Sequence, residues 1–157
     1  MRSEDLAQVL QIERNTQRVP WSRLAFEESL TRSETDQMAP YHCQVFCPEE
    51  SEQIVAFFIV AQVLDELHIM NLAVATQAQG RGYGHLILKR ITELANQLQS
   101  KKVFLEVRAS NTVAISLYEK WNFQQIGTRP NYYRTEQASS FEDALIYCHQ
   151  LTKIVSA

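Results

Sequence analysis

Gln79-Gly80-Arg81-Gly82-Tyr83-Gly84 is the stretch on which the fold turns. The 157-residue chain has four glycines, and Gly80, Gly82 and Gly84 all fall within these six positions. An apolar segment ending at Val74 precedes them, and a helical pattern follows from His85 onward. Glycine lets backbone N–H groups approach a ligand with no Cβ in the way. A helix N-terminus adds orphan donors and the positive end of the helix dipole. The combination suits a pyrophosphate; the plainer alternative is a glycine-rich turn without a ligand. A Walker loop is excluded, because no Gly-Lys-Ser/Thr follows. A dinucleotide fingerprint needs a third glycine where His85 stands. Glu106, after a later strand, is that reading's one attraction. Against it, five residues separate Val74 from Gly80, and too little chain follows for a full dinucleotide fold.

Outward from the loop, Ile87, Ile91, Leu94 and Leu98 mark the buried stripe of a helix over residues 82–98. Upstream, residues 54–64 are almost continuously apolar, as in a central strand covered on both faces. Asp65-Glu66 turns the chain into a second strand over 67–74, and 41–47 reads as a strand ended by Pro48. Two helices come first. Ser3 is the expected N-cap of one reaching about Thr16, and after Pro20 a shorter one covers 22–30, with 31–40 a polar loop. Downstream, a strand over 103–107, a helix over 111–121 and strands over 123–129 and 144–150 complete the chain. A run of strands followed by alternation with helices predicts an α/β fold. We expect a mixed sheet with helices on both faces, in one domain over 1–157.

Composition narrows the function classes. Net charge is −3, so no basic surface for nucleic acid is indicated. No apolar run approaches ~18 residues, so no membrane span is expected. The N-terminus carries no apolar signal core. Cys43, Cys47 and Cys148 are odd in number and form no CxxC pair, which favours a reducing cytoplasm over a disulfide framework. Cys43 and Cys47 with His42 lack a second ligand cluster, so no metal is expected. The oligomeric state is not readable.

The loop resembles the Gln/Arg-x-x-Gly-x-Gly/Ala motif of the GNAT acetyltransferase superfamily, with Gln79, Gly82 and Gly84 at its three fixed positions. Other segments carry a closer resemblance to that superfamily's bacterial ribosomal-protein-alanine N-acetyltransferases. They are Val19-Pro20-Trp21-Ser22, Asn71-Leu72-Ala73-Val74, Leu105-Glu106-Val107-Arg108-Ala109-Ser110-Asn111, Ala114-Ile115-Ser116-Leu117-Tyr118-Glu119 and Asn131-Tyr132-Tyr133. The resemblance implies a mostly antiparallel sheet, splayed at the cofactor site between the strand ending at Val74 and the Val103 strand. It implies acetyl-coenzyme A as acetyl donor and the N-terminal peptide of a ribosomal protein as acceptor. Two departures stand out. The chain starts about a strand's length before its first helix is due, so the family's first strand is expected to be short or missing, and Val19 occupies a position where an aromatic is expected.

Acetyl transfer to an amine requires amine deprotonation, a held carbonyl and a proton for the thiolate. Glu106 is the only charge in Val103-Phe104-Leu105-Glu106-Val107, and a carboxylate buried in a strand needs a partner or a task. It could pair with Arg108, two residues on and on the same face; the resemblance makes it a general base, direct or through water. Tyr118 reads from sequence as a core aromatic, and the resemblance makes it the acid that protonates the thiolate. Asn111 is a good N-cap, to which the resemblance adds a cofactor contact. The resemblance further assigns the cofactor Leu72, Ala73, Val74, Gln79, Gly80, Arg81, Gly82, Tyr83, Gly84 and His85, the last through its backbone. Val19, Pro20, Trp21, Tyr132 and Tyr133 would border the peptide entrance. His68 and His149 show no evident partner and are assigned to structure. The rival functions are acetylation of a small amine or a lysine, and a non-catalytic acyl-coenzyme A-binding module.

Overall fold

A computed structural model describes residues 1–35, 40–135 and 140–151. A 3-10 turn, Ser3–Asp5, leads into α1 (Leu6–Thr16) and α2 (Arg23–Thr35), followed by β1 (Tyr41–Phe46), β2 (Ala56–Val63) and β3 (Glu66–Val74). Then come α3 (Tyr83–Gln97), β4 (Lys102–Arg108), α4 (Thr112–Lys120), β5 (Gln124–Arg134) and β6 (Phe141–Gln150). The strands form one sheet in the order β1-β2-β3-β4-β6-β5. Only β3 and β4 pair in parallel; the other neighbours are antiparallel.

The core explains why the 54–64 segment is apolar throughout. Ala56, Phe58 and Val60 of β2 point into a cluster with Ile87, Leu88 and Ile91 of α3. Phe57 and Ile59, in alternation, point into a second cluster with Leu6, Val9 and Leu10 of α1 and Phe26 and Leu30 of α2. Helices therefore cover both faces, and a strand between two cores has no face for polar residues.

Several local readings are corrected. Ser3 lies inside the 3-10 turn rather than capping α1, and the Asp5 carboxylate accepts the Arg2 amide instead. Part of the predicted 31–40 loop is helical, because α2 runs on to Thr35; residues 36–39 lie outside the described residues. β5 does not stop at Arg129. It continues to Arg134 through Pro130, which an edge strand tolerates, and its register with β6 slips between Arg129 and Tyr133. Asn131 sits at that slip with φ of 53°, its amide held by Asp143 Oδ1 at 2.9 Å. Among the described residues no strand precedes α1.

The feature that positions the site is a parting of the sheet. β3 and β4 pair only from Glu66↔Lys102 to Ile69↔Leu105. Immediately beyond, β3 carries a bulge: Val60 of β2 faces Ile69, but Ile59 faces Asn71, leaving Met70 as the extra residue. A bulge bends its strand and disrupts the ladder. It also shifts the alternation by one residue, so Asn71 turns to the α1 side, whereas unbroken alternation from Ile69 would point it at α3.

Candidate active site

A cleft of about 420 Å³ opens where the two strands part. Ile69, Met70, Asn71 and Leu72 of β3 line one wall, and Leu105, Glu106, Val107 and Arg108 of β4 line the other. Glu13, Gln17, Val19, Pro20 and Trp21 contribute from the end of α1 and the connection to α2. Asn111, Ala114 and Tyr118 come from α4 and its cap; Tyr132, Tyr133 and Arg134 come from β5. Along β4, Val103, Leu105 and Val107 enter the α3/α4 core, which puts Glu106 on the opposite face. Tyr118 belongs to the α3/α4 core. An intact sheet would separate the two side chains; the gap lets both line one cleft.

The predicted site residues thus fall in two places. Glu106, Tyr118, Leu72, Asn111, Val19, Pro20, Trp21, Tyr132 and Tyr133 share the cleft. Ala73, Val74 and the Gln79–His85 loop lie farther along β3 and at the N-terminus of α3, outside the cleft lining. Gln79 Nε2 donates to the Val74 carbonyl at 3.1 Å, tying that loop back to the strand. Gly82 caps α3 with φ of 87°, a left-handed conformation suited to glycine. The first intrahelical bond runs from the Leu86 amide to the Gly82 carbonyl at 3.1 Å, so the amides of Tyr83, Gly84 and His85 precede the ladder. Gly84 has a different reason: a Cβ there would stand 2.8 Å from Leu117 Cδ2, so glycine admits the close approach of α4. The His85 ring accepts the Trp121 indole N–H at Nδ1, at 2.8 Å, which ties the start of α3 to the end of α4.

Glu106 does not pair with Arg108. Its Oε1 forms an ion pair with Arg129, 2.9 Å from Nε, and its side chain is about a quarter exposed rather than buried. Arg108 turns to Glu142 at 2.7 Å, donates to the Arg134 carbonyl at 2.9 Å and lies 4.4 Å over the Tyr133 ring. Burial acts to raise the Glu142 carboxyl, but hydrogen bonds from Arg108 and the Ser110 amide outweigh it and hold the group below its usual range. Arg108 is therefore a strut beneath Tyr133. Arg108→Gln should lower stability by up to about 3 kcal/mol, because it strands a largely buried carboxylate. A depressed carboxyl contributes stability above its ordinary pKa and loses it as pH falls through the folded value. The parent's melting temperature should accordingly fall more steeply in acid than the variant's, and thermal melts across that range check it.

Burial pushes the Tyr118 phenol well above its ordinary value, with Tyr133 adding to the shift. Tyr118 stays protonated at neutral pH and packs 5.8 Å from Phe123. Tyr133 is pushed up to about 12, first by burial and then by the Glu106 charge. Asn111 Oδ1 accepts the Ala114 amide at 3.2 Å and caps α4. His68 pairs with Glu66 at 3.1 Å, and His149 meets the Asn122 carbonyl at 3.3 Å, so both have the partners that sequence did not show. His42 and Cys43 are consecutive on β1 and face opposite ways. No metal-holding group of three or more His, Cys, Asp or Glu occurs among the described residues.

Sequence reasoning missed Glu13, Gln17, Asn71, Arg129 and Arg134. One of them left a signal: Glu13 falls on the Leu6, Val9, Leu10 stripe, where an amphipathic helix should be apolar.

A mixed sheet parted beside its parallel pair, with a glycine-capped helix beyond the gap, is the frame that the family match and the named relatives below assign to an acetyl-coenzyme A-dependent N-acetyltransferase. The chain belongs to the GNAT acetyltransferase family, which matches residues 6–123. It is 36% identical over 146 residues to the [ribosomal protein bS18]-alanine N-acetyltransferase of Haemophilus ducreyi, covering 91% of this chain and 92% of that protein. It is 34% identical over 147 residues to the enzyme of the same name from Salmonella typhimurium, covering 90% and 88%. The crystal structure of the ribosomal-protein-S18-alanine N-acetyltransferase from Escherichia coli matches with a TM-score of 0.83 at 30% identity, over 97% of this chain and 91% of that one.

Proposed function

We propose that this chain acetylates the α-amine of an N-terminal alanine on a ribosomal protein of the S18 kind, in the cytoplasm. The carrying observation is that Glu106 and a protonated Tyr118, from opposite faces of the sheet, line one cleft where β3 and β4 part. The names of the relatives supply the acceptor. No helix among the described residues is long and apolar enough to cross a membrane, which accords with this reading.

In this reading the loop from Gln79 to His85 holds the pyrophosphate of acetyl-coenzyme A. The backbone of Leu72, Ala73 and Val74 meets the pantetheine and acetyl groups, and Asn111 adds a contact. The peptide enters between Val19-Pro20-Trp21 and Tyr132-Tyr133. Glu106 takes one ammonium proton, directly or through water, so the amine lone pair is free to form the C–N bond, and the nitrogen releases its second proton to solvent as the tetrahedral adduct collapses to the amide. Tyr118 gives its proton to the sulfur as the C–S bond breaks, and solvent restores it. Arg129 is more than half exposed and leaves Glu106 at little cost, since exposed ion pairs hold weakly.

An acceptor screen tests the reading: acetyl-coenzyme A with peptides varied at their first three residues. Turnover should favour free alanine termini. Preference for a lysine side chain in blocked-terminus peptides would overturn it. The cofactor assignment has its own test. A Cβ at Gly82 meets no protein atom within 4 Å, so Gly82→Ala should cost only the left-handed strain, about 1–2 kcal/mol. Calorimetry should nevertheless show acetyl-coenzyme A affinity reduced about tenfold or more, the loss of a close backbone contact. Unchanged affinity would remove the loop from the cofactor site. Gly84 is the poorer probe, because a side chain there meets Leu117.

A further inference from the structure

Glu13 is only 1% exposed, yet it lines the cleft. Its Oε1 accepts the Trp21 backbone N–H at 2.8 Å, and its Oε2 accepts Asn71 Nδ2 at 3.2 Å. A buried carboxylate is costly unless its oxygens are met, and here each is met by a different wall of the cleft. Trp21 belongs to the segment between α1 and α2; Asn71 is the residue that the β3 bulge swings to the α1 side. One turn on, Gln17 Nε2 reaches the Leu72 carbonyl at 3.4 Å. The end of α1 therefore grips β3 twice, just where β3 has left β4. Hydrophobic packing alone does not set such a spacing, because apolar contacts are non-directional. A carboxylate held from both sides fixes it.

We propose that Glu13 is a positioning residue for the acceptor. By joining the Trp21 amide to Asn71 it sets the separation between the Pro20-Trp21 segment and β3, and so determines how tightly the peptide is held, without taking part in proton transfer. This rests on the acceptor side of the cleft being the one proposed above. Burial raises the Glu13 carboxyl, and the hydrogen bonds from Trp21 and Asn71 pull against that shift, as expected of a carboxylate held in place by its two donors.

Steady-state kinetics with acetyl-coenzyme A and an alanine-starting peptide varied separately provide the test. Glu13→Gln keeps an oxygen for the Trp21 amide but offers an NH2 to Asn71, whose amide must turn over to accept it, so a charge-assisted bond becomes a neutral one. Peptide KM should rise about tenfold, the difference between a charged and a neutral partner in that bond. The KM for acetyl-coenzyme A should stay within about twofold, because that interaction lies elsewhere. The pH profile of kcat should keep its shape. Adding Asn71→Asp reverses the polarity of the second bond, with the new carboxamide donating to the new carboxylate. The double variant should return peptide KM to within about threefold of the parent, the signature of direct coupling between the two positions. If Glu13→Gln alone melts too low to assay, the double variant decides, since it keeps both hydrogen bonds. Failure of the rescue would overturn the proposal. So would an equal rise in both KM values, which marks general loosening, or a moved kcat profile, which marks a proton-transfer role. The parent enzyme separates the two readings. If it ignores alanine-starting peptides and turns over blocked-terminus lysine peptides, the acceptor assignment fails, and the same variants measured on the lysine peptide still test Glu13.

Discussion

Tyr118→Phe should lower turnover by about 10²–10⁴, the range for loss of a general acid or base, while acetyl-coenzyme A affinity stays near that of the parent. The side chain is 6% exposed and packs among Phe123 and the α3/α4 core, so phenylalanine keeps nearly all of its contacts. No hydrogen bond to its hydroxyl is formed among the described residues, so its loss strands no partner. Folding should therefore survive, and single-turnover kinetics on a melt-checked variant read the chemical step alone. The pKa shift supplies a second measurement. A phenol raised above its ordinary value leaves stability intact below pH about 10 and costs stability as pH climbs past that point. Tyr118→Phe should reduce the parent's alkaline destabilisation. A drop in turnover below about threefold, well short of an acid–base contribution, would return Tyr118 to a purely packing role.

Glu106→Gln should show a loss of similar size, about 10²–10⁴ in kcat, and here the observed ion pair sharpens the test. Had Glu106 been buried against Arg108, the variant would be expected to melt early. Its partner is instead Arg129, 55% exposed, and an exposed cation left alone returns to water at little cost. The melting temperature should move little. The carboxamide keeps the shape but takes no proton, so the enzyme depends on amine already deprotonated in solution. A free α-amine has a pKa of about 7.7–8.0. Raising pH through that range should partly rescue the variant, and the pH–rate profile on an alanine-starting peptide reads it. A variant that melts early yet turns over normally per folded molecule would remove the general-base role.

The two variants probe opposite faces of one sheet, which is why the parting between β3 and β4 is the organising feature of the site. Glu106 leaves β4 on the face away from the α3/α4 core, and Tyr118 is anchored within that core. Arg108 of β4, Tyr133 of β5 and Glu142 of β6 brace the proposed acceptor side, while Glu13 and Gln17 brace it from α1.

Local rules sufficed for most of the elements and for the glycine loop. The continuous apolar run around Phe57 and Phe58 read as a strand between two cores, and the Ile87, Ile91, Leu94 spacing as the buried face of a helix, and both are found. Clustered glycines beside a helix start located the loop, because left-handed backbone at Gly82 is a property of the residue itself. Asn111 capped its helix as its side chain dictates. Partnerships were another matter. Arg108 is two residues from Glu106 and shares its face, yet Glu142, 34 positions away, takes it, since the β4–β6 register brings that carboxylate alongside. Nothing within β3 announces that Met70 is the extra residue; only its pairing with β2 creates the bulge, turns Asn71 toward Glu13 and ends the ladder with β4. Propensity, patterning and capping act over a few residues and are written in the chain. Register and the meeting of distant polar groups depend on how whole strands align, and that alignment minimises the free energy of the assembled sheet rather than of any one segment.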